Sequence, residues 1–265
     1  MTKSEFGNSI QVYELCACGK EPLTPVGENP VLNTAGTDTL TVMTYNVKNC
    51  GTGEKIADVA ADIRAEDPDV VCLQEVDRNV KRSGGRDELQ ALANELGMNY
   101  VFFPAIRLQG GTYGVGILSV YPLTDCEMVP LETRREDEDR VLASAAIRVN
   151  GQTIMIYNTH LSFEDTDQRQ KQWAFLQQTL QQETNPFVLT RDFNITDIAE
   201  FSNLTGVTAV NNAQTRYETY LGDGSGGGML CIDNIFVSDK LTVANHRLAN
   251  TTVSDHRPLV AEIQL

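Results

Sequence analysis

The chain has 265 residues, 41% hydrophobic and 22% charged, with a net charge of −15. This is a globular composition, long enough for one large core or two small ones, and its acidity disfavours holding a polyanion by general attraction. No run approaches the roughly 20 apolar residues of a membrane span, and the six cysteines form no CxxC pair or Cys/His cluster with zinc spacing.

Residues 1–38 are polar and rich in Pro, Gly, Thr and Asn, and read as a tail or lead-in to a single domain over 39–265. The start, MTKSEFGNSIQVYEL, lacks the apolar segment of a signal peptide. LCACGKEPLTP (15–25) is similar to the region after a bacterial lipoprotein cleavage site, although no apolar segment precedes it. The compartment therefore stays open between cytoplasm and cell envelope.

From Thr39 the texture changes. A strand is predicted over 40–47, and Ile56, Val59, Ala60 and Ile63 mark one face of a helix that Pro68 ends. Val70-Val71-Cys72-Leu73 reads as a short buried strand with Cys72 a buried thiol. A second helix covers 87–96, with Leu89, Leu92 and Leu96 on one face and Gly97 as its stop. Strands follow at 100–103 and 114–120, and the charged run 132–140 reads as a loop. Asn150-Gly151 joins strands at 141–149 and 153–158, a strong hairpin signal. A helix over 166–182 turns Trp173, Leu176 and Leu180 inward. A strand then runs into Asp192, a short helix follows near 196–204, GDGSGGG (222–228) forms a flexible loop, and strands close the chain at 232–237, 241–246 and 259–265. Hairpins mixed with helical crossovers predict an α/β (α+β) four-layer sandwich, two packed mixed β-sheets flanked by helices.

Six of these strands carry polar groups at one end: Tyr45-Asn46, Gln74-Glu75, Asn158-Thr159-His160, Asp192-Phe193-Asn194, Asp233-Asn234 and Ser254-Asp255-His256. Alone, each is an ordinary cap or Asx turn. Together they hold two of the three histidines, and strand ends that converge on one rim make a site. Their oxygen donors suit Mg²⁺ or Mn²⁺. A divalent cation, two imidazoles and a spare aspartate are the equipment of phosphoester hydrolysis.

The segments TYNV (44–47), LQEVDR (73–78), YGVGILS (113–119), NTHL (158–161), DFN (192–194), IDNIFVS (232–238) and SDHRPL (254–259) resemble, in order and spacing, the endonuclease/exonuclease/phosphatase superfamily, metal-dependent phosphoesterases with a pancreatic-deoxyribonuclease-like fold. RSGGRDELQALANELGM (82–98) is similar to a bacterial branch of metal-dependent hydrolases whose substrate is not fixed. The resemblance implies Asn46 and Glu75 as the metal-binding pair with Asp255 beside the metal. It implies Asp192 as the residue that activates water and Asn194 as its partner. It places His160 and His256 on the scissile phosphate, with Asp233 orienting His256, and Arg140 and Tyr113 within reach of substrate. The implied reaction is direct attack of water on a phosphodiester or phosphomonoester by a monomeric enzyme.

A nuclease is the alternative enzyme. Arg78, Lys81, Arg82 and Arg86 form the densest basic group, either a rim for a polyanion or a solvated loop. A binding module of the same fold without turnover is the alternative of another class. Arg191 favours it, because the family pattern is Gly-Asp-x-Asn and this chain has Arg-Asp-Phe-Asn.

Overall fold

The computed structural model describes residues 23–31, 33, 36–195, 204–222 and 228–265. The segment 15–22, with Cys16 and Cys18, and the helix expected near 196–204 fall outside them, apart from Leu204. Of the glycine-rich loop only Gly222 and Gly228 are described.

The chain folds into two sheets. The first contains β1 (Val26–Glu28), β2 (Thr39–Asn46), β3 (Val70–Arg78), β4 (Asn99–Leu108), β5 (Gly111–Ser119), β12 (Thr242–Leu248) and β13 (Leu259–Gln264), ordered β1-β4-β5-β3-β2-β13-β12. The second contains β6 (Thr124–Pro130), β7 (Val141–Val149), β8 (Gln152–His160), β9 (Phe187–Asp192), β10 (Val207–Ala209) and β11 (Asp233–Ser238), ordered β10-β11-β9-β8-β7-β6. In each sheet one central pair is parallel, β2 with β3 and β8 with β9. The remaining pairs are antiparallel, so both sheets are mixed.

Three apolar clusters separate the layers. One lies between the sheets and includes Val42, Cys72, Ile156, Val188 and Ile235. A second takes in Cys50 of the single-turn α1 (Lys48–Thr52) and packs α2 (Ile56–Glu66) and α3 (Glu88–Leu96) on the outer face of the first sheet. A third packs α4 (Thr166–Gln182) on the second, through Trp173, Leu176 and Leu180. Local chemistry sets the helix ends. The Asp87 and Asp165 side chains accept the backbone N–H groups of Gln90 and Gln168, and Gly97 closes α3 at φ 67°. Asn150 and Gly151 both take positive φ, the geometry of a tight hairpin turn between β7 and β8.

Three strands fall where the sequence pattern predicts none: β1, β6 and β10. All three are sheet edges. β6 reads as mostly exposed or half-buried, so it lacks the inward period that marks a central strand. β1 lies inside the expected lead-in. It pairs with β4, Asn29 exchanges two hydrogen bonds with the backbone of Leu123, and Val31 exchanges two with the Asn99 side chain. Among the described residues no helix is long and apolar enough to cross a membrane.

Candidate active site

The period of two along each strand carries the inter-sheet face from apolar to reactive. On β2 the face runs Val42, Thr44, Asn46; on β8, Ile156, Asn158, His160; on β9, Val188, Thr190, Asp192; and on β11, read backwards, Val237, Ile235, Asp233. The transition layer is structural. Asn158 donates to the carbonyls of Leu73 and Gly116, each at 2.9 Å, and accepts from Gln74 at 2.8 Å, tying the two sheets together. The last layer gathers the ionisable groups. Register places Asp192 opposite His160 on one side and Asp233 on the other.

Glu75 breaks the alternation. It follows the inward-facing Gln74 and takes φ 58°, at the point where the β3–β5 register shifts between Leu73 and Val76. The bulge re-aims Glu75 into the cleft. There Asn46 Nδ2 donates to Glu75 Oε1 at 2.8 Å and to Asp192 Oδ2 at 3.1 Å. Asn46 Oδ1 accepts the Lys48 N–H, so this side chain clamps the two carboxylates rather than offering its oxygen between them. Glu75 Oε2 takes no hydrogen bond or ion pair among the described residues.

Two imidazoles face Asp192 across the cleft. His160 Nε2 lies 3.7 Å and His256 Nε2 3.6 Å from Asp192 Oδ2. His256 Nδ1 pairs with Asp233 Oδ2 at 2.8 Å. Burial by itself would lower the His256 pKa, but Asp233 and Asp192 outweigh it and push it up to about 10. His160 behaves oppositely: burial, then Arg140, hold its pKa well below the ordinary value. Arg140 Nη1 sits 3.0 Å from His160 Nδ1 and can only donate, so the neutral ring carries its proton on Nε2, toward Asp192. Burial, then Asp233, push Asp192 up to about 7 against the pull of His256. Its Oδ1 accepts the Asn194 N–H at 3.0 Å. Asp192, Asp233 and His256 also come within 4.8 Å of one another, which by distance alone would admit a metal. A protonated His256 bonded to Asp233 makes this group an ion-paired triad instead.

The cleft has a volume of about 440 Å³. Asp255 and Asn194 line it, as do Tyr113 and Arg140, so all ten residues expected from the sequence lie in it or bond to residues that do. Asn194 Nδ2 is spent on the Leu161 carbonyl. Glu138, whose carboxyl burial raises in pKa, meets Arg140 at 2.6 Å. Several cleft groups are not legible in the sequence. Tyr220 packs against His256 with the rings tilted and their centroids 5.0 Å apart, and Phe163 is exposed at the rim. Lys48 Nζ reaches Asp255 Oδ2 at 2.6 Å; only its position two residues after Asn46 could have marked it. Of the basic group, Arg82 lines the cleft with its guanidinium spent on Asp77 through two 2.8 Å bonds, Arg78 pairs with Asp87, and Arg86 bonds the Gly53 carbonyl.

Arg191 does not enter the cleft. It sits in extended β9 without positive φ, so the backbone does not require glycine there. Alternation sends its side chain to the outer face under α4, where it is 0% exposed. Its guanidinium carbon lies 3.1 Å from the Phe193 ring centroid and 4.7 Å from that of Trp173, and none of its three nitrogens has a hydrogen-bond partner among the described residues.

The model of the endonuclease/exonuclease/phosphatase family matches residues 43–256, a span that contains every cleft residue named above. A comparison with curated proteins returns no match. Among solved structures, an endonuclease/exonuclease/phosphatase from Beutenbergia cavernae is similar, with 21% identity, a TM-score of 0.72 and coverage of 86% of this chain and 72% of that one. D. rerio TDP2 complexed with single strand DNA product has 19% identity, a TM-score of 0.69 and coverage of 86% and 100%. A mannosyl-6-phosphatase from Bacteroides thetaiotaomicron has 17% identity, a TM-score of 0.65 and coverage of 85% and 100%. At these identities the likeness is one of fold. The family match, on the strands that build this cleft, makes the chain a member of the endonuclease/exonuclease/phosphatase family, hydrolases of phosphodiesters or phosphomonoesters.

Proposed function

We propose that the chain is a divalent-metal-dependent phosphoesterase that hydrolyses a small phosphate ester by direct attack of water. One observation carries the reading: Asp192 Oδ2 faces two imidazole Nε2 atoms at 3.6–3.7 Å and is tied through Asn46 to Glu75. The donor set fits a hard cation. Glu75 presents an uncommitted carboxylate oxygen from a bulge that aims it at the cleft, and no thiol stands among the cleft residues. Glu75 would hold Mg²⁺ or Mn²⁺, which would supply polarisation of the phosphoryl oxygen.

The remaining work falls to the chain's own side chains. Asp192 takes a proton from water at Oδ2, the oxygen that faces both imidazoles across the cleft. The water oxygen bonds to phosphorus as the ester P–O bond breaks; the leaving oxygen takes a proton from solvent, and Asp192 returns to solvent the one it accepted. The Nε2–H groups of His160 and His256 donate to the phosphoryl oxygens, where negative charge grows. Asp233 keeps His256 oriented and protonated. Arg140 fixes the His160 tautomer.

The cleft volume of about 440 Å³ and the net charge of −15 favour a small ester over a polyanion. Structural relatives include one solved with a DNA product and one named as a sugar phosphatase, so a substrate panel must span both kinds. Turnover of a bis-aryl phosphodiester and an aryl phosphomonoester should stop with chelator and return with Mg²⁺ or Mn²⁺. Glu75→Ala should remove it while the fold persists. Activity that survives prolonged chelation would sink the metal mechanism.

A further inference from the structure

The carboxylates on the cleft floor are not equivalent. Asp233 is spent on His256, and both oxygens of Asp192 accept hydrogen bonds. Asp255 is also committed: Oδ2 meets Lys48 Nζ at 2.6 Å, and Ser254 Oγ lies 3.3 Å from Oδ1. Glu75 alone of the four has no cationic partner among the described residues.

Lys48, its side chain 55% exposed, reaches this contact from a constrained backbone. It opens a turn in which five successive residues take left-handed backbone: Lys48 (φ 45°), Asn49 (φ 44°), Cys50 (φ 43°), Gly51 (φ 59°) and Thr52 (φ 62°). Non-glycine residues avoid that region unless their surroundings impose it. Here the Lys48 N–H is fixed on Asn46 Oδ1, Cys50 N–H on the Val47 carbonyl, and Thr52 N–H on Asn49 Oδ1. Cys50 is fully buried and anchors the turn in the core under α2. Backbone strain imposed this way is characteristic of functional positions. It brings an ammonium from the first sheet's loop to an aspartate 207 residues later in the chain.

We propose that Lys48 is a built-in cation of the active site: its ammonium occupies the Asp255 corner, so that the chain takes a single divalent cation, at Glu75. The inference rests on the metal-dependent reading above and adds the number of ions and the residue that sets it. A second divalent ion at Asp255 would have to displace the ammonium or sit beside it, and like charges at contact repel. The ammonium supplies one positive charge permanently. It cannot polarise a water as a divalent ion does, which leaves the proton transfer to Asp192.

Calorimetric Mn²⁺ titration of the full chain tests this. Wild type should bind one equivalent, and Glu75→Gln should weaken that site at least 100-fold. Lys48→Met should bind a second equivalent, lost again in Lys48→Met/Asp255→Asn, whereas Lys48→Arg should stay at one. Circular dichroism and melting of each variant establish that it is folded. Two ions in wild type, or one in folded Lys48→Met, would overturn the proposal and leave the metal-dependent reading standing. No Mn²⁺ bound by wild type would overturn both.

Discussion

Replacing Arg191 by methionine should stabilise the protein. The guanidinium is fully buried with no hydrogen bond on any nitrogen among the described residues, and burial holds its pKa well below the ordinary value. Taking such a cation out of water costs several kcal/mol even after relaxation. Stacking on Phe193 and Trp173 returns about 2 kcal/mol for each desolvated cation–π contact. Against a desolvation cost of roughly 6 kcal/mol, the two contacts together return about 4 and leave a net cost of about 2 kcal/mol. Methionine keeps much of the volume and its sulfur suits the same rings, so Arg191→Met should recover about that amount. At about 2.1 cal/mol/K of unfolding entropy per residue over 265 residues, 2 kcal/mol corresponds to a rise in Tm of about 3–4 °C. Thermal unfolding by circular dichroism in metal-free buffer measures it. A fall in Tm on Arg191→Met would refute the bookkeeping and mean that the guanidinium is compensated.

Three further outcomes are expected. Asp233→Asn removes the charge that orients and protonates His256, and steady-state turnover should fall by roughly 100-fold or more; a change within threefold would contradict the role. Asn158→Ala leaves buried partners on Gln74, Leu73 and Gly116 unpaired and should cost about 3 kcal/mol or more, read as a lower urea midpoint, and an unchanged midpoint would deny the cross-sheet tie. Burial raises the Glu88 carboxyl from 4.5 to about 7. The folded state therefore holds its proton where the unfolded state releases it, and stability falls as pH rises from about 4.5 to 7, by about 3 kcal/mol from this group. Glu88→Gln should flatten that slope in urea titrations across the range, and an unaltered slope would show that another group carries it.

The central strands were legible because burial on both faces leaves a strong apolar signature, as in Val70-Val71-Cys72-Leu73. The edges were not. β6 has no buried residue, and β1 and β10 owe their existence to the strands they pair with. Strand-end chemistry was likewise readable as residue type. Its division of labour was not: Asn158 and Gln74 share the same kind of position as His160 and Glu75, yet the first pair ties the sheets together while the second faces the cleft. That difference is one step along the strand, or one bulge.

Sequence alone pointed to the family, through seven short segments in a given order, six of which carry the polar strand ends, because phosphoester chemistry needs those side chains whatever surrounds them. It also marked Asp192 and Asn194 as members of one set of polar strand ends. Only the tertiary structure decided what each group faces. Alternation on β9 turns Arg191 away from the cleft that Asp192 enters, so the residue that breaks the Gly-Asp-x-Asn pattern loads the core instead of the site. A left-handed turn brings Lys48 to Asp255 across 207 positions. Both are consequences of backbone direction and long-range packing, and the order of residues does not carry that geometry until the two sheets close on each other.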